Sequence, residues 1–68
     1  AEIMRRIEVA ETMLEGVEAD VRRVRARYQR GEVSAGAYRR LLAEYERRRE
    51  RARLEIDGAL LRLREEIS

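Results

Sequence analysis

The stretch YQRGEVSAGAYRRL, Tyr28 to Leu41, decides the fold, because it interrupts a chain that otherwise reads as helix from end to end. Gly31 follows the last periodic apolar residue of the first segment, where a left-handed residue past a helix end favours glycine. Ser34 is a natural N-cap, its hydroxyl placed to accept from a free amide in the next turn. Val33 and Tyr38 then occupy the two positions of a hydrophobic staple. The capping box is incomplete, because Ala37 stands where Glu or Gln would close it. Gly36 in the first turn weakens the helix start slightly. So short a connection between long helices makes them antiparallel neighbours.

Outward from the turn, the apolar spacing is that of a coiled coil. Ile3, Ile7, Ala10, Leu14, Val17, Val21, Val24 and Tyr28 step by alternating fours and threes. That spacing places Ile7, Leu14, Val21 and Tyr28 at heptad position a and the others at d. A strict 3.5-residue repeat implies a left-handed supercoil against a partner helix. Beyond the turn the same steps give Tyr38, Leu42, Tyr45, Arg49, Ala52, Ile56, Ala59 and Leu63. The expected architecture is all-α: helix 1 over about 2–30, a turn at 31–34, and helix 2 over about 35–67. Together they form an antiparallel two-helix coiled-coil hairpin. Folding at the turn sets Tyr28 against Tyr38, Val24 against Leu42, Leu14 against Ala52 and Ile7 against Ala59. Large residues repeatedly oppose small ones, as a tight seam requires. Val17 against Arg49, beside Gly16, is the exception. A polar residue at an a position sets register or oligomer state, and Arg49 is expected to reach out toward Glu15 or Glu18.

Sixty-eight residues make at most one small domain. The sequence opens at Ala1 without an initiator Met and ends at Ser68 within a charged run, so a segment of a larger protein is expected. Chains this short rarely gain more than about 3–5 kcal/mol from a single core. Apolar residues outside the seam indicate a second buried face. Met4, Met13, Leu54, Leu60 and Leu61 all lie in the half away from the turn. They are the candidate oligomer interface, most simply between two hairpins forming a four-helix bundle. The other partners for these residues are further helices of the parent protein.

Charge is sorted along the chain. Every cation is arginine, a bias that genomic base composition or life at high temperature also produces. Residues 1–21 carry net −4, residues 22–53 net +8, and residues 54–68 net −2. Folding therefore makes the turn end basic and the open end acidic. The tip cations Arg22, Arg23, Arg25, Arg27, Arg30, Arg39 and Arg40 are the candidate site for an anionic partner. Helix dipoles account for the acid-first, arginine-last order of helix 1, with Glu2–Arg6 and Glu18–Arg22 spaced for pairing. Helix 2 runs against that rule, opening with Arg39 and Arg40 and ending near Glu65 and Glu66. Three explanations fit the sorting: acidic ends meeting the basic tips of neighbouring hairpins, nucleic-acid phosphates, or an anionic membrane surface. The membrane reading is the weakest, since the Arg-rich stretch after the turn presents no bulky apolar face. The three tyrosines lie on the seam, which assigns them to packing before base stacking.

The composition argues against catalysis and against cofactors. His and Cys are absent, Thr12, Ser34 and Ser68 are the only hydroxyls besides the tyrosines, and neither Ser34 nor Thr12 has a base to activate it. Neither a Glu-x-x-His pair nor an EF-hand loop is present. No apolar run approaches the roughly 18–20 residues of a membrane span, and no secretory signal pattern is seen. The expectation is a non-catalytic, cytoplasmic scaffold or oligomerisation module, with an Arg-rich nucleic-acid-binding element as the alternative.

The turn residues Tyr28, Gly31, Val33, Ser34 and Tyr38 fit a Tyr-x-x-Gly-x-Ile/Val-Ser-x-x-x-Tyr pattern. It resembles the turn of short C-terminal oligomerisation hairpins in bacterial proteins and of the coiled-coil region of the archaeal CdvA cell-division family. Gly36 and Ala37 depart from the acidic residues common at those positions. The archaeal resemblance implies dimerisation, filament formation, DNA association and recruitment of ESCRT-III-like partners. The five matched positions carry a structural role only.

Overall fold

The computed structural model describes residues 2–67. Two helices, α1 (Glu2–Gln29) and α2 (Ala35–Ile67), pack against each other as an all-α helical hairpin. No strand occurs among the described residues. The molecule is a rod of 53 × 16 × 12 Å with a radius of gyration of 15.7 Å. A compact chain of this length would have a radius near 11 Å, so among the described residues the core is the seam between the helices.

The turn is capped on both sides. Gly31 has φ 77°, in the left-handed region. Its amide donates to the Tyr28 carbonyl at 3.0 Å, and the Glu32 amide donates to the Arg27 carbonyl at 2.9 Å. These two bonds complete a Schellman motif and satisfy carbonyls that the helix end would otherwise leave open. Across the turn, the Ala37 amide donates to the Ser34 hydroxyl at 3.1 Å, and the Tyr38 amide to the Ser34 carbonyl at 2.9 Å. Ser34 is therefore the N-cap of α2. α1 ends at Gln29, one residue short of the expected boundary, because Arg30 already belongs to the cap.

Burial follows the heptad register. Ile7, Ala10, Val17 and Val24 of α1 and Ala52 and Ala59 of α2 are buried. The remaining seam residues are half-buried, except Tyr28 at the tip, 39% exposed. Tyr28 and Tyr38 stack across the turn with ring centroids 4.3 Å apart. That contact fixes the register, so facing residues have numbers adding to about 66. Among the described residues no large side chain is fully buried. The seam alanines, each facing a larger side chain, let the helices approach closely, but they contribute little buried area each.

Arg49 departs from expectation. It forms no ion pair with Glu15 or Glu18, and its Nε is buried without a hydrogen-bond partner. Its stem lies in the seam at the level of Val17, and the guanidinium does not reach an acid on α1. Nor does the expected Glu18–Arg22 pair form; Asp20 pairs with Arg23 one turn on. Glu2–Arg6 is present at 3.9 Å, an exposed pair of small energetic weight.

Candidate interaction surfaces

Two surfaces stand out, one at each end of the rod. At the open end, Met4, Met13, Leu54, Leu60 and Leu61 are all exposed, as are Val9 and Ile67. The residues do not gather on a single face. By heptad position Met4, Leu60 and Ile67 lie on one flank of the seam, while Met13 and Val9 lie on the other. Leu54 and Leu61 occupy the outer face of α2. Val9 and Ile67 were not singled out from the sequence, because both fall outside the seam.

The Val9–Met13 flank holds a groove of about 400 Å³. Val9, Ala10, Met13 and Ala52 give it an apolar lining, and Arg6, Arg51 and Glu55 stand among its charged residues. A smaller hollow of about 230 Å³ continues toward the open end past Leu54, Gly58 and Arg62. Gly58 and Gly16 fall on the same flank, one heptad beyond Arg51 and Val9 respectively. A β-carbon built at either glycine would meet nothing within 4 Å.

At the turn end, Arg22, Arg23, Arg25, Arg27, Arg30, Arg39 and Arg40 are all exposed. Internal acids engage three of the seven. Arg23 pairs with Asp20, while Arg27, at 3.6 Å, and Arg30 both pair with Glu32. The side-chain hydrogen bond from Arg30, with the charges of Arg30 and Arg27, holds the Glu32 carboxyl below its usual range. The same hydrogen bond to Glu32 raises the Arg30 guanidinium above its ordinary value. Arg22, Arg25, Arg39 and Arg40 have no acidic partner within 4 Å among the described residues, so the tip keeps a surplus of free cations. Farther along α2, Glu44 accepts from Arg47 at 3.0 Å and lies 3.4 Å from Arg48. The Arg47 hydrogen bond and the nearby arginine charges lower its carboxyl. Arg48 also lies 5.7 Å from the centroid of the Tyr45 ring.

Among the described residues no cluster of three or more acids could hold a metal ion. No helix is long and apolar enough to cross a membrane. Compared with protein-family models, curated proteins and solved structures, the chain finds no match in any of the three.

Proposed function

We propose that the hairpin is a non-catalytic oligomerisation module whose first partner is a second copy of itself. The observation that carries this reading is uncovered surface. The chain exposes 5426 Å², whereas a compact monomer of 8.1 kDa would expose about 4,500 Å². The excess, roughly 900 Å², is close to the ~800 Å² that each partner contributes to a standard interface. Seven large apolar side chains stand exposed in the open half of the rod. The role that fits is protein–protein assembly: a scaffold in a larger protein, of the kind that filament-forming cell-division proteins use, acting in the cytoplasm.

Unfolding at different concentrations tests the reading, because association makes the melting temperature rise with protein concentration. A melting curve that does not move with dilution would remove it.

A second reading has its own observation, the four unpaired tip arginines. They suit phosphates along a nucleic-acid backbone, with a steep fall in affinity as salt rises. A gel shift at low salt tests it, and an unchanged mobility with both single- and double-stranded probes rejects it.

A further inference from the structure

We infer that two hairpins dock side by side and antiparallel over their full length, through the flank that carries the Val9–Met13 groove, Gly16 and Gly58. This rests on the self-association proposed above and specifies its face and direction. Three features that cost the isolated hairpin something find a common explanation there.

The first is the pair of glycines. A mid-helix glycine costs about 0.5–1 kcal/mol relative to alanine, and nothing inside the hairpin calls for either one, since open space lies beyond both. A second helix backbone approaching this flank would occupy that space. The second feature is the groove, where Val9 and Met13 stand exposed in the single hairpin. The third is the sorted charge. Full antiparallel overlap sets the tip segment of one copy, net +8, beside the open end of the other, whose two strands of helix carry −4 and −2. Parallel docking would place tip against tip and acid against acid, which charge complementarity disfavours.

The register follows from the rod. Facing residues number to about 66, so a twofold axis at mid-length lies near the level of Gly16, Val17 and Arg49. Val9 of one copy then falls level with residue 25 of the other, which is also the level of Leu41. Leu41 is half-buried and lies on the same flank, giving the groove an apolar counterpart in the tip half. A twofold interface is self-complementary, so this match is made twice. Met13 lies inside the contact and Leu54 at its border, while Met4, Leu60 and Leu61 stay outside it.

The chain has no cysteine, so Gln29→Cys, exposed at the end of α1, carries a single spin label. Double electron–electron resonance on the dimer then reads orientation. Full antiparallel overlap predicts a label separation of about 40 Å; parallel docking gives under about 25 Å, and overlap of the open ends alone gives over about 60 Å, at 1.5 Å per helical residue. Either of the last two results overturns the proposed direction while leaving self-association intact. Gly16→Ala then reads the face. It should raise helicity in dilute monomer yet weaken the dimer about tenfold or more; unchanged or tighter dimerisation overturns the face. A chain that stays monomeric at every concentration removes the self-association itself, and this inference with it.

Discussion

Tyr28 and Tyr38 stack face to face across the turn, with ring centroids 4.3 Å apart and planes 2° from parallel. At a plane spacing of about 3.5 Å the rings are displaced sideways by roughly 2.5 Å, the offset form that ring quadrupoles favour. The stack closes the seam at its tip and fixes the register of every pair behind it. Tyr38→Ala should cost about 2–3 kcal/mol, from lost burial together with the ring pair. Tyr38→Leu should recover roughly half of that. Thermal unfolding in dilute monomer checks both, and full recovery of stability by leucine would show that the stack itself contributes nothing.

The two caps make separable contributions. Ser34→Ala removes the acceptor for the Ala37 amide and should cost about 1 kcal/mol. Gly31→Ala puts a β-carbon at φ 77°, which should cost about 1–2 kcal/mol. Open space surrounds that glycine, so the loss would come from backbone strain alone. Urea denaturation measures each, and a neutral Gly31→Ala would contradict the strain assignment.

Seam and surface residues should respond differently. Ile56 is half-buried between the helices, whereas Leu54 is 60% exposed. Ile56→Ala should cost about 2 kcal/mol in monomer, and Leu54→Ala less than about 0.5 kcal/mol. Leu14→Ala should behave as Ile56→Ala does. Equal melting shifts for the three variants would mean that the apolar faces are wrongly assigned.

Acid should weaken the turn half through two particular carboxylates. Glu32 and Glu44 are held below the ordinary glutamate value of 4.5, chiefly by hydrogen bonds from Arg30 and Arg47. A depressed folded-state value means that the unfolded chain binds protons first as pH falls. Their contribution is therefore complete above about pH 4.5 and is lost below it, as pH drops through the folded values. Melting followed from pH 7 to pH 3 should show this decline, and Glu32→Gln with Glu44→Gln should flatten it. A decline unchanged in that double variant would place its origin elsewhere.

Arg49 should be dispensable for the hairpin. Its Nε is buried with no partner, and an unsatisfied buried donor costs about 1–3 kcal/mol. Arg49→Met keeps the length and removes that donor, so it should raise monomer stability by about 1 kcal/mol. A loss of stability on thermal unfolding would show that the guanidinium has a stabilising contact.

The hairpin was legible because its determinants are local or periodic. Gly31, Ser34 and the four-three spacing each constrain the few residues beside them, and together they specify turn, cap and register. The Schellman bonds and the Arg27–Glu32–Arg30 cluster follow from that geometry, yet nothing in the spacing marked Glu32 as the acid that both arginines share. Arg49 was misread because a long side chain between two helices has many exits, and sequence shows its neighbours without showing its path. The five apolar residues outside the seam are exposed. Their spread over three sides emerged only with the helices in place, as did the open flank at Gly16 and Gly58. A glycine in a sequence shows its helix penalty, whereas the space beside it depends on the fold.

Sedimentation equilibrium across concentrations up to tens of micromolar tests the central claim most directly. Self-association predicts a weight-average mass rising from the 8.1 kDa monomer toward twice that value, with Met13→Glu holding the chain near the monomer. A mass that stays at the monomer value over the whole range would contradict the account.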